Sequence, residues 1–346
     1  MRFLRRDPPE SETPGDFWAW WSSGRDRVAR AITTGNLDAR LVAEIANAVR
    51  TVHPAMAWEL APGTTAQHAF CISPEGNAEL RQEALRWLSS APPADATWEY
   101  HASKQVRPKL MGLEIGSWHF DLEEVRAIAS WDATRRRIDV RLWHPRFAEA
   151  PENVRIQVGF VFLDSLLGED DVERWVGEIH LLEAPTGGRT PAELRAEIER
   201  RKTETARGET WVLGERTGRE GAVAIVLADA GLKRIDHPFA DHHVTIAVVF
   251  GADRMPTTVE TTMMDEQEQD FLRRLGHVAV YAGRVTEPGR RTMHFVAVNP
   301  DAMRPAIDGW AQDLPDSLSE GLPQLRLKID FERDMDWSFQ RDLGIR

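Results

Sequence analysis

A chain of 346 residues is long enough for two or three domains, each able to bury a core. Its 42% hydrophobic and 28% charged residues exclude a disordered or low-complexity chain. The net charge of −12 repels phosphate backbones, so nucleic-acid binding is not expected, and the basic runs at 135–137 and 200–202 read as solvated turns or helix faces.

The opening residues, MRFLRRDPPE, carry positive charge without an apolar core, so no secretory signal is expected and residues 1–15 read as a loose tail. No apolar run reaches transmembrane length, so no membrane role is expected. Cys71 is the single cysteine, which rules out an intrachain disulfide; within FCIS it reads as a buried thiol. Together these features predict a cytoplasmic protein of bacterial type.

Asp16 can cap a first helix on which Phe17, Trp21, Val28 and Ile32 share a face. A second helix follows, with Leu41, Ile45, Val49 and Val52 at helical spacing, and His53-Pro54 ends it. Strands are expected at 56–61 and 68–73, then a helix capped by Asn77, then strands at 96–103 and 112–121. A hairpin at 125–131 and 137–144 should turn at Asp132-Ala133-Thr134. A helix at 153–167 and a strand at 175–183 complete an N-terminal α+β domain over 16–185.

Thr190-Pro191-Ala192-Glu193 is a helix start with a capping box, and the charged helix it opens suits a linker over 186–208. A C-terminal domain over 209–346 opens with a strand pair at 210–216 and 222–229. It continues as strand 244–250, helix 265–275, strand 278–286, strand 291–298, helix 300–313 and strand 323–331. This order is βαββαβ, the ferredoxin-like arrangement. The fold class expected is therefore α+β: two sandwiches, each with helices on one face of an antiparallel sheet.

Phosphate-loop, dinucleotide, nucleophile-elbow and zinc-peptidase motifs are all absent from the sequence, and no cofactor is expected. Two clusters remain. Asp236, His237, Asp241, His242 and His243 offer imidazoles and carboxylates that could hold a metal ion. Adjacent His242 and His243 would face opposite ways on a strand, so a polar loop entering a strand is the plainer account. Asp164, Glu169, Asp170 and Asp171 could serve a divalent cation or acid–base chemistry. The plainer account has Gly168 ending a helix and the acids solvating the next turn.

The opening FWAWW helix, the stretch FLDSLLGEDDVERWVGEIHL, and YAGRVTEPGRRTMHFVAV followed by DMDWSF carry a resemblance. In them the chain resembles the bacterial domain of unknown function 695 family, most closely from about 209 to 346. No enzymatic residues are established for that family, so the resemblance transfers none. The βαββαβ order with its terminal W-x-F is also similar to the small regulator of ribonuclease E activity B, which implies a protein-interaction role.

The expectation is thus a non-enzymatic module that binds another protein, or a small ligand in a cleft between the domains. The alternative is a metal-assisted hydrolase using the 235–243 cluster or the 164–171 acids. Phe17, Trp18, Trp20 and Trp21 are read mainly as packing residues, with Trp18 or Trp20 available for an interaction.

Overall fold

The computed structural model describes residues 15–184, 187–205, 210–217, 221–250, 254–318 and 326–345. Apart from Gly15, the tail expected over 1–15 lies outside the described residues. The protein is of the α+β class. Contacts divide it into two units, Met1–Ala129 with Asp139–Ile198, and Ser130–Ile138 with Glu199–Arg346.

In the first unit, helix α1 (Gly15–Thr34) buries Phe17, Trp21 and Val28 along one face. Helix α2 (Ala39–Arg50) starts where the Asp38 carboxylate accepts from Leu41 N, and it buries Leu41, Ile45, Ala48 and Val49. Both stripes recur at three- and four-residue steps, so each helix turns one apolar face inward.

Strands β1 (Ala57–Pro62), β2 (His68–Ser73) and β3 (Trp98–His101) form a sheet in that order. The β1–β2 pair is antiparallel, but β2 and β3 run parallel, so this sheet is mixed and not antiparallel as expected. The cause is helix α3 (Ala78–Ser89), whose N-terminus the Asn77 side chain caps. A helical crossover returns the chain to its starting end, so the next strand runs the same way. β2 is buried at all six positions, as a strand covered on both faces should be.

The single strand expected at 112–121 is a hairpin of β4 (Gly112–Ile115) and β5 (Trp118–Asp121). Gly116 turns it with φ +58°, a conformation that favours glycine. A third sheet contains β6 (Arg126–Asp132), β7 (Arg137–Trp143) and β8 (Val176–Leu182) in that order. Between β7 and β8 lie α4 (Glu152–Leu167) and α5 (Glu169–Trp175). The N-terminal half is therefore three small sheets and not one sandwich. Helix α6 (Pro191–Thr205) follows, its capping box formed by Thr190 and Glu193, with Leu194 and Ile198 buried.

The second unit holds β9 (Trp211–Thr217), β10 (Val223–Asp229), β11 (His242–Val249), β12 (Val280–Glu287), β13 (Arg290–Ala297) and β14 (Arg326–Arg333). They form one sheet in the order β14-β11-β13-β12-β10-β9, with every neighbouring pair antiparallel. Helix α7 (Thr258–Leu275) connects β11 to β12, and α8 (Arg304–Leu318) connects β13 to β14. Phe271 of α7 and Trp310 of α8 pack with Val244, Ile246 and Phe295 of the sheet. Trp337, Phe339, Leu343 and Ile345 pack with Val226, Ala228 and Val296 in a separate cluster. Because strand residues alternate sides, the helices cover one face of the sheet and the C-terminal residues cover the other.

Candidate functional site

The first unit contains a cavity of about 80 Å³, lined by Glu59, Lys104, Gln105, Arg107, Val161, Asp164 and Ser165. Glu59 comes from β1 and the last three from α4; the rest belong to the segment that follows β3. That segment is strapped to the end of α4 by backbone. Arg107 N donates to Ser165 O at 2.9 Å, and Glu169 N donates to Lys104 O at 2.9 Å. Arg195 of α6 adds Nε to Leu166 O at 3.0 Å and Nη2 to Arg107 O at 3.3 Å.

Gly168 makes the joint between α4 and α5. Its φ is +81°, and a Cβ there would sit 3.3 Å from Val106 Cγ2 and 3.4 Å from Lys104 O. Any side chain would therefore be strained and crowded against the cavity wall.

Two ion pairs line the cavity. Arg107 Nη2 lies 2.9 Å from Glu59 Oε2, and Lys104 Nζ lies 3.3 Å from Asp164 Oδ2. Lys104 Nζ is also 3.5 Å from Glu75 Oε1. Burial pushes the Asp164 carboxyl up to about 6, against the pull of Lys104. Burial works against the Lys104 charge too, but Asp164, Glu75 and Glu169 outweigh it and raise its pKa. Titratable groups with displaced pKa values gathered in one cavity mark it as the candidate site of the first unit.

The acidic residues at 164–171 do not share one role. Glu169 is not on a solvated turn, as the plainer account had it; it is buried at the first position of α5. Its Oε2 accepts from Ser73 Oγ at 2.8 Å and from Lys104 N at 3.0 Å, and Oε1 accepts from Gly76 N at 3.3 Å. Asp170 and Glu173 each lie 2.8 Å from the guanidinium of buried Arg81. These carboxylates act as internal counter-ions and acceptors, and Asp171 is half-buried on the same short helix. Among the described residues, Asp164, Glu169, Asp170 and Asp171 do not converge closely enough to share a cation. Cys71 is buried, and burial together with Glu59 and Glu169 raises its thiol far above the ordinary range.

The second-unit cluster is also dispersed. His237 stacks on Trp337 at 6.1 Å. Asp236 is exposed in a short turn before β11. Asp241 lies 2.9 Å from His242 Nδ1 and 3.2 Å from Arg333 Nε. His242 and His243 are successive strand residues and take opposite faces. His243 is buried, with Nδ1 2.7 Å from Glu332 Oε1 and Nε2 3.0 Å from His294 Nδ1. Burial, with His243, Arg216 and Arg290 nearby, pushes His294 down to about 3. Asp334 joins His243 and Glu332 within 4.8 Å. Of the five residues read from the sequence, the structure brings only His243 into this group. Glu332, Asp334 and His294 were missed; the clue was the alternation of LKIDFERD, which places Glu332 and Asp334 on one strand face.

The aromatic run packs inward. Phe17 lies 5.3 Å from Phe70, and Trp21 lies 4.8 Å from Trp98. Trp18 stacks on Trp87 at 4.7 Å and donates its indole N–H to Trp87 O at 3.1 Å. Trp20 is half-buried beside Phe17 and Trp21. Among the described residues no helix is long and apolar enough to cross a membrane. Comparison with protein-family models, curated proteins and solved structures gives no match to this chain.

Proposed function

We propose that the chain is a non-enzymatic bacterial cytoplasmic binding module whose ligand is a small zwitterion, held in the cavity of the first unit. The observation that carries this reading is that two ion pairs, Arg107–Glu59 and Lys104–Asp164, line one cavity of about 80 Å³. A molecule with a carboxylate and an ammonium a few bonds apart matches both signs of that lining. Its carboxylate would sit on Lys104 and Arg107, and its ammonium on Glu59 and Asp164. The volume, about 80 Å³, admits a small amino acid.

Calorimetric titration with small amino acids, and with analogues lacking either charge, tests it. The zwitterions should bind, the one-charge analogues should bind far more weakly, and Lys104→Met should abolish binding. Absence of any binding, or unchanged binding by Lys104→Met, would end the proposal.

Kinship with the domain of unknown function 695 family belongs to the same reading. It rests on the sequence stretches YAGRVTEPGRRTMHFVAV, which spans the β12–β13 hairpin, and DMDWSF, whose Trp337 and Phe339 pack in the C-terminal cluster. A ferredoxin-like assignment for the second unit is supported by the partial order β14-β11-β13-β12, with helices after β11 and β13. A metal-assisted hydrolase is the second reading. The grouping of His243 with Glu332 and Asp334 favours it; the 164–171 acids, used as counter-ions, do not.

A further inference from the structure

We propose that His243, Glu332 and Asp334 form a site for a divalent transition-metal ion, with Zn²⁺ the best match to the donor set. This site lies in the second unit and does not depend on the ligand reading above.

The backbone puts the donors together. His243 of β11 is directly opposite Glu332 of β14 in an antiparallel pair, so both side chains leave the same face. Asp334 is two residues beyond Glu332 and shares that face. Its N–H donates to Asp241 O at 2.8 Å, which carries the pairing past the end of β14.

Two of the three donors are held firmly. The His243 ring stacks on Phe339 at 4.3 Å, and its Nε2 is 3.0 Å from His294 Nδ1. Metal-binding imidazoles are commonly oriented in this way, with the far nitrogen hydrogen-bonded and the near one free to ligate. Asp334 Oδ1 accepts from Ser338 N at 2.9 Å, and Oδ2 from Ser338 Oγ and Phe339 N, both at 3.1 Å. Oδ1, with a single such bond, still has a lone pair to give.

The third donor is movable. The Glu332 side chain is 66% exposed, so it can rotate without disturbing the core. The three ligating atoms lie within 4.8 Å of one another, whereas a tetrahedral zinc ion holds its donors about 3.3 Å apart. Glu332 Oε1 sits 2.7 Å from His243 Nδ1, and rotation of its side chain lets the cation take the place of that hydrogen bond. One imidazole and two carboxylates balance the charge of a divalent ion. Three protein donors also leave a fourth position for water.

The test uses the full chain, purified without an affinity tag and stripped with chelator. Titration with Zn²⁺ should show one equivalent bound. Titration with Co²⁺ should give the visible band of a low-coordinate site. Glu332→Gln, at an exposed position, should leave the fold intact and weaken Zn²⁺ binding roughly tenfold or more. His243→Gln should remove the Co²⁺ band, while His242→Ala should retain it. Failure of the wild-type chain to take up either ion would overturn the proposal. Unchanged affinity in Glu332→Gln would overturn it as well.

Discussion

The indole N–H of Trp21 donates to the Tyr100 hydroxyl at 2.9 Å, joining α1 to β3 across 79 residues of sequence. Both residues are buried, and Trp21 also makes edge contacts with Phe70 and Trp98, each at 4.8 Å between ring centres. Trp21→Ala should therefore destabilise the first unit by roughly 3–5 kcal/mol, the usual range for emptying a buried aromatic position. Trp21→Phe keeps most of the packing and loses the hydrogen bond, so its cost should be nearer 1–2 kcal/mol. Denaturant unfolding followed by tryptophan fluorescence checks both; equal stability of Trp21→Ala and wild type would show that the helix does not depend on this contact.

A second prediction concerns acid stability. The Glu99 carboxylate accepts from Thr64 N and Oγ1, from Thr65 N and Oγ1, and from Ala66 N, all between 2.6 and 3.0 Å. Burial opposes its charge, but the bonds from Thr64, Thr65 and His101 hold its pKa well below the usual carboxylate range. A depressed pKa means that the unfolded chain takes up the proton first. The stabilisation is therefore complete above the ordinary glutamate value of 4.5 and is lost as pH falls toward the native value. Glu99→Gln should cost about 2 kcal/mol at neutral pH and flatten the acid limb of the stability curve. Chemical denaturation across the acid range measures it.

The sequence was most legible where one local signal decided the structure. The stripe of Phe17, Trp21 and Val28, the caps at Asn77 and Thr190, and the strand–helix order of the second unit all follow from residues within a few turns of one another. The first turns of α7 were missed because TVETTMMDEQ has little apolar periodicity. What starts that helix is the box in which Thr257 N donates to Glu260 Oε2 at 2.6 Å and Glu260 N donates to Thr257 Oγ1 at 3.3 Å. Strand 68–73, helix 77–90 and strand 96–103 were legible as a βαβ unit, but the direct parallel pairing of β2 with β3 departs from the antiparallel sheet expected of that domain.

The sites were legible only as isolated residues. Asp164, Glu169 and Asp170 stood out as acids, yet what fixes their roles is Lys104, Ser73 and Arg81 respectively, which lie 60 to 96 residues away from their partners. His243 stood out in a cluster whose other members turned elsewhere, while its real neighbour Glu332 is 89 residues further on. Sheet register set that pairing, and register comes from the whole sheet.

A third prediction follows from Asp164. Its pKa is raised from 3.8 to about 6, so the native state holds a proton that the unfolded chain releases. Stability contributed by this group is then present at low pH and falls as pH rises between those two values. Asp164→Asn should remove that decline, leaving the variant more stable than wild type, relative to low pH, once pH exceeds about 6. The same substitution should weaken zwitterion binding at neutral pH, since the ammonium loses a partner. Lys104 retains Glu75 at 3.5 Å in the variant, so its charge is not stranded. Paired urea titrations below and above this window would decide the matter; a variant with the wild-type pH profile would show that Asp164 ionises normally.

The last prediction concerns the buried polar centre of the second unit. Glu268 is 2% exposed and accepts from the Tyr281 hydroxyl at 2.7 Å and from Arg284 Nη1 at 2.8 Å, while Arg291 Nη1 lies 3.6 Å away. Burial, with the Glu268 charge and its hydrogen bond, raises the Tyr281 pKa, so the hydroxyl stays protonated and remains the donor. Arg291 is equally buried and keeps Asp265 at 2.6 Å, but Arg284 leans on Glu268 and Asp265 together. Removing the central carboxylate leaves Arg284 and Arg291 to share the one Asp265 carboxylate, 2.9 and 2.6 Å away, so two guanidinium charges inside the fold are left under-compensated, which costs more than the lost hydrogen bonds alone. Glu268→Ala should destabilise the second unit by about 3–5 kcal/mol. Glu268→Gln keeps two acceptor lone pairs and should cost less. In a double-mutant cycle, adding Arg284→Met to Glu268→Ala should recover part of the loss, because it leaves Asp265 to Arg291 alone. Strict additivity in that cycle would show that the two side chains are not coupled.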